Sequence, residues 1–166
     1  FSREGITASL KENGPSSQGA VDAVEQFGQR LLQLIPDSIR CIIALHNNTE
    51  GDYSVKSYLP GGKRVTDART VSPVASQDPD DIVFTTDHFI YEQMAAAGFN
   101  AILQHNENVK QDGSLSVYCG NVNRSYVNIE TEHGKLSQYR LMLEKLLEVL
   151  AVSGNNSMQQ NAADTQ

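Results

Sequence analysis

At 166 residues the chain has about the length of one domain. Its 13 basic against 20 acidic side chains, a formal charge of −7, and the lack of any Lys/Arg run longer than Lys63-Arg64 exclude nucleic acid as an expected partner. No stretch approaches the roughly 18 apolar residues of a membrane span, and 39% hydrophobic content without Trp makes a lean core with much polar loop.

Residues 1–17 are polar and rich in turn formers, with Asn13-Gly14-Pro15 breaking any helix begun at Ile6, so a lead-in loop is expected. The first residue is Phe1 rather than Met, and nothing after it reads as a signal or transit peptide. The expectation is a longer protein, with any targeting signal upstream of Phe1. From Gln18 the apolar positions Val21, Val24, Phe27, Leu31 and Leu32 recur at helical spacing until Pro36-Asp37, which predicts an amphipathic helix. Residues 39–45 are a mostly apolar run, the mark of a strand covered on both faces, and it ends in His46-Asn47-Asn48.

Residues 49–81 carry Gly51, Pro60-Gly61-Gly62, Pro73 and Asp78-Pro79, which limits regular structure to a short strand at 53–58. A loop this long in a compact domain is functional or disordered. A strand follows at 82–86, a helix at 87–97 stopped by Gly98, a strand at 99–103 and a polar loop at 105–114. Residues 124–130 alternate like a strand, and 136–152 form a strongly periodic helix ended by Ser153-Gly154. Residues 153–166 lack the apolar content to fold and are expected to form a disordered polar tail. The alternation predicts an α/β three-layer sandwich over 18–152 with a mixed, largely parallel sheet. Ligands bind such sheets beyond the carboxyl ends of the strands, where this chain carries His46 and Glu130.

His46 follows an apolar strand and precedes two amides able to hold its second ring nitrogen or a substrate. It reads as a metal ligand or general base, or as a strand-end histidine bonded to nearby backbone. Glu130 ends a strand whose Val127 and Ile129 look buried, a setting that suits a general base. Glu132 and His133 share the next turn, so either carboxylate could face a crevice, although Glu132 also suits the start of the last helix. His88 with Glu92, and His105 with Glu107, lack a third ligand or recognised spacing. Cys41 and Cys119 lie far apart in no metal-like spacing and read as small buried side chains. No Gly-x-Ser-x-Gly elbow or Walker pattern occurs.

The order of these features resembles the C-terminal half of the zinc carboxypeptidase family, including the related succinylglutamate desuccinylase and aspartoacylase amidohydrolases. The features are an apolar strand ending in His46, a long loop, a strand-helix-strand unit, the segment from Asp112 to Tyr118, and a strand ending in Glu130 before a final helix. The resemblance implies that His46 is the third zinc ligand, that Glu130 is the general base, and that Ser114, Ser116 and Tyr118 lie along the specificity pocket. Asn47 and Arg124 join them as candidate substrate contacts, because an amide and a guanidinium suit a substrate carboxylate. Arg64 and Arg69 are candidate anchors for the same reason, with solvated surface charge the better reading of both. The family's other zinc ligands come from a His-x-x-Glu motif, and its substrate carboxylate is held by an Asn-Arg pair. This chain has no His-x-x-Glu, no such pair before His46, and no tyrosine in 105–111.

The implied whole is a zinc-dependent hydrolase of an amide bond, acting on a peptide or an acylated amino acid. This chain then supplies the latter part of the domain, its sheet incomplete on the N-terminal side, and is inactive alone. A second expectation is a noncatalytic α/β domain that binds a ligand or partner through 49–81.

Overall fold

Strands that are apolar on both faces need a helical layer on each side, because side chains alternate between the two faces of a sheet. A computed structural model describes residues 1–49 and 53–163, with backbone alone from 154 onwards. The helices are α1 (Arg3–Asn13), α2 (Gln18–Gln33), α3 (His88–Ala96), α4 (Leu115–Asn121) and α5 (Leu136–Ala163). The strands are β1 (Cys41–Asn48), β2 (Ala68–Ser72), β3 (Ile82–Thr85), β4 (Asn100–Gln104) and β5 (Ser125–Glu132), with short 3-10 turns at Val55–Tyr58 and Val65–Asp67.

The fold is α/β. Its five strands form one mixed sheet in the order β1-β5-β3-β4-β2, with β1/β5 and β3/β4 parallel and the other two pairings antiparallel. On one face Val83, Ala101, Val127 and Ile129 pack against Ile90 and Met94 of α3 and Met142, Leu146 and Val149 of α5. On the other, Ile82, Phe84, Ile102 and Tyr126 meet Val55 and Tyr58 of the first 3-10 turn and Cys119 of α4, with Leu115 and Tyr118 beside them. Because β1 and β5 are parallel, their carboxyl ends meet at one edge, where antiparallel β3 begins: His46 pairs with Glu130, and Glu130 with Ile82.

Several expectations are corrected. Residues 1–17 contain α1 rather than only a lead-in loop. The Ser2 hydroxyl caps it by accepting from the Gly5 N–H at 3.2 Å, and Arg3 bonds to Asp22 at 2.6 Å and to Glu25 on α2. Gly5 is required there, since a Cβ would run into the Asp112 backbone. Asn13-Gly14-Pro15 does end the helix, at Gly14. Residues 55–58 form a 3-10 turn, not a strand, because Val55 and Tyr58 stand three apart and both turn inward.

Strand β2 and helix α4 were not foreseen. The first exists by antiparallel pairing with β4, and the second is started by the Ser114 hydroxyl, which accepts from the Val117 N–H at 3.5 Å. Helix α5 runs through Ser153-Gly154 to Ala163, so most of the expected tail is helical. A single Gly costs a helix about 1 kcal/mol and does not stop it, and no Pro follows. The last part of that tail, 164–166, and residues 50–52 of the long loop lie outside the described residues.

The core under α5 gives a direct check. Leu146 is fully buried whereas its neighbour Leu147 is 52% exposed. Leu146→Ala is expected to lower unfolding stability by about 2–5 kcal/mol, and Leu147→Ala by no more than about 0.5 kcal/mol, both measured by urea denaturation.

Candidate functional site

Alternation along β1 and β5 sets Ala44 and His46, and Tyr126, Asn128 and Glu130, on the sheet face opposite α5, and all five line a cavity of about 430 Å³. Glu130 is 7% exposed, which only a well-bonded carboxylate tolerates. The Asn128 Nδ2 donates to its Oε1 at 2.8 Å, and His46 Nδ1 stands 3.3 Å from the same oxygen. His46 is half-exposed, so it sits at the mouth while the carboxylate lies inside.

The second wall comes from the long loop. Tyr58 packs on Phe84 with ring centroids 5.6 Å apart, and its hydroxyl bonds to that of Tyr53. Burial holds the phenols of Tyr58, Tyr53 and Tyr126 above their ordinary pKa, so they serve as neutral hydrogen-bonding groups. The Arg64 guanidinium stands 5.4 Å from the Tyr53 ring centroid and 3.8 Å from Asp67. The third wall is the start of α4, where the Ser114 and Ser116 hydroxyls are 3.1 Å apart.

The structure therefore brings His46, Glu130, Ser114 and Ser116 around one cavity and leaves the other three expected contacts outside it. Asn47 lies on the opposite sheet face, as alternation demands, and accepts from the Tyr139 hydroxyl at 3.1 Å. Tyr118 belongs to a helix rather than a pocket loop and stacks beside Phe1 at 6.1 Å between centroids. Arg124 lines a separate depression with Thr86, Asp87 and Ser125, its guanidinium 3.9 Å from Asp37. Arg64, read as surface charge, lines the cavity instead.

Between the two carboxylates the geometry is clear: Glu130 faces the cavity, and Glu132 is engaged by Lys135 at 2.9 Å. His88 and Glu92 form an exposed 3.6 Å pair, and His105 is bonded to Asn108 at 3.1 Å. Both cysteines are free, and burial pushes the Cys41 thiol up to about 11. Sequence reasoning missed Asn128, Gln104, Tyr53 and Tyr58. Asn128 was within reach, since it stands two residues before Glu130 on the same strand face.

Next to the site, Lys135 joins three parts of the chain. Its ammonium is 2.6 Å from Asp78, 2.9 Å from Glu132 and 3.6 Å from Asp81, tying the 78–81 turn to the end of β5. Burial opposes its charge, yet the bonds to Asp78 and Glu132 raise its pKa overall, while the same bond holds the Asp78 carboxyl below its usual range.

No protein-family model, curated protein or solved structure matches the chain.

A carboxylate whose folded pKa is depressed stabilises the fold fully above its unfolded value, near 3.9, and loses that contribution as the pH falls through the lower folded value. Lys135→Met is thus expected to cost up to about 1 kcal/mol at pH 7, given the partial exposure of the group. The difference from the parent chain should shrink below about pH 4, as read by urea denaturation across pH.

Proposed function

We propose that this chain supplies the substrate cavity, one metal-ligating histidine and the proton-accepting carboxylate of a zinc-dependent hydrolase of amide bonds, of the carboxypeptidase or acylated-amino-acid amidase type. The observation that carries this reading is the rung shared by His46 and Glu130 at the mouth of the cavity, with 3.3 Å between ring nitrogen and carboxylate. Among the described residues no three His, Cys, Asp or Glu side chains group closely enough to hold a metal. His46 would be one ligand of a set, and the described residues do not fit a four-coordinate zinc site by themselves.

The chain's own residues account for the proton's path. Both contacts to Glu130 use Oε1, which leaves Oε2 to take a proton from water. The hydroxide adds to the carbonyl carbon, the same proton passes to the departing nitrogen, and the C–N bond breaks to give a carboxylic acid and an amine. Asn128 holds the carboxylate in position, and the neutral tyrosines and Phe84 keep bulk water from the inner cavity.

A second reading is a noncatalytic ligand-binding α/β domain. Tyr53, Tyr58 and Arg64 favour it, since all three come from the long loop and line the cavity.

Calorimetric titration of the purified chain with zinc chloride is expected to show no 1:1 site tighter than about 1 μM. A stoichiometric tight site that His46→Ala removes would overturn the partial ligand set. In a longer natural chain that carries a His-x-x-Glu, Glu130→Gln should lower kcat for amide hydrolysis by about 10²–10⁴ with zinc content retained, while His46→Ala should lose zinc. Full turnover in Glu130→Gln with none in Glu132→Gln would move the base to Glu132. If the longer natural chain lacks that motif and hydrolyses no amide, the binding domain is the better reading.

A further inference from the structure

Two residues that line the cavity each carry a buried side-chain oxygen without a hydrogen-bond partner: Asn128 (Oδ1) and Gln104 (Oε1). The two are 7% and 1% exposed. Neither amide can turn the other way. The Asn128 Nδ2 donates to Glu130, and Gln104 Nε2 donates to Asn106 Oδ1 at 3.0 Å and to the Ser116 carbonyl at 3.2 Å. Asn106 is itself fixed, because its Nδ2 donates to the Thr86 carbonyl at 3.1 Å. A flip at either position would set oxygen against oxygen. Both oxygens are fixed acceptors, and a buried acceptor left unpaired destabilises its site until a donor arrives.

Their spacing follows from the sheet. Asn128 pairs with Phe84 across β5/β3, and Phe84 pairs with Ile102 across β3/β4, two residues before Gln104. Two strand spacings of about 4.8 Å and a two-residue step of about 6.6 Å set their Cα atoms about 12 Å apart. Phe84 lies between them on the same face, so the trough is polar at both ends and apolar in the middle. The fitting ligand is elongated, with N–H groups at two points.

An uncharged amide fits better than an ammonium. The other carboxylates of the wall are already engaged, Asp67 by the Lys110 N–H at 3.1 Å and by Arg64, and Asp112 by the Ser114 N–H at 2.9 Å. At the Gln104 end a cation would be stripped of water against a neutral oxygen, and at the other end Glu130 is already bonded by Asn128 and faced by His46.

We infer that this cavity selects ligands presenting amide N–H groups to the sheet, with Asn128 Oδ1 and Gln104 Oε1 as the acceptors that determine specificity. As a statement about substrate, that of a peptide-like amide chain, it rests on the hydrolytic reading; as a statement about binding it is tested without turnover.

The test follows the side-chain amide signals of Asn128 and Gln104 in the ¹⁵N-labelled chain by NMR. N-acetylglycylglycinamide, about 10 Å long when extended, is expected to shift both signals saturably. Its N-permethylated counterpart, of similar shape but without N–H groups, should bind at least about tenfold more weakly. Equal binding of the two, or no shift with either, overturns the inference, and tighter binding of methylammonium overturns the preference for an uncharged donor. Gln104→Met keeps the volume and removes the acceptor, and should weaken only the N–H-bearing probe, by at least about fivefold. A Met variant that binds both probes like the parent removes Gln104 from the role. Amide binding without hydrolysis in any longer chain defeats the hydrolytic reading alone, and hydrolysis without selective amide binding defeats this inference alone.

Discussion

The parallel pairing of β1 with β5 is the constraint on which the site depends. His46 and Glu130 are far apart in sequence and meet because Cys41 pairs with Ser125 and the register holds for seven further rungs. The side-chain period of a strand is two, so a slip of one residue would turn His46 to the α5 face and bring Asn47 to the cavity. What prevents the slip is apolar: Ile43 must meet the core under α3 and α5, while Ile42 and Ala44 must meet the core under α4. The polar end of β1 is thereby positioned by the apolar run before it. Since β1 lies at an edge of the sheet, its ladder partner among the described residues is β5, and the packing of these apolar side chains carries the rest of the register.

The long loop becomes a wall because asparagines at strand ends fasten it. Asn100, 1% exposed, donates to the carbonyls of Asp78 and Asp81 at 2.8 and 3.0 Å and accepts from the Val74 N–H at 2.8 Å. Asn48 donates to the carbonyls of Tyr53 and Asp80 at 3.1 and 2.7 Å. An irregular segment has backbone groups with no ladder to satisfy them, and these amides satisfy five of them from strand ends. With its backbone so tied, the loop can bury Val55 and Tyr58 against Ile82 and Phe84 and hold Tyr53 and Arg64 at the cavity.

The legible parts of this fold are those whose cause is local. The apolar run before His46, the periodicity of α2 and α5 and the alternation before Glu130 each announce their element, and they bring the two reactive side chains to one edge. The rest depends on partners distant in sequence. Strand β2 exists only through β4, and Arg64 lines the cavity because the loop carrying it is fastened elsewhere. Helices α1 and α4 begin at serine hydroxyls, Ser2 and Ser114, in stretches whose Gly, Pro and Asp content reads as loop. Arg124 and Tyr118 lie outside the cavity for a related reason: the direction of a side chain depends on the fold around it, which residue type and order do not carry.

Three departures from ordinary packing share the cavity wall. A carboxylate that is 7% exposed costs free energy against an apolar side chain of equal volume, even when well bonded, and so does an amide oxygen without a donor. Glu130, Asn128 and Gln104 carry these costs along a single face of β5 and β4, around the same cavity, while the opposite face of the sheet is built from Val83, Ala101, Val127 and Ile129. Other buried polar atoms lack partners elsewhere, Thr131 Oγ1 on the α5 face among them, but on the cavity wall the three side chains line one continuous surface. The same line ends at the rung where His46 meets Glu130, so the proposed acceptors for an N–H donor and the proposed base for water belong to one surface, the first along the strands and the second at their carboxyl ends.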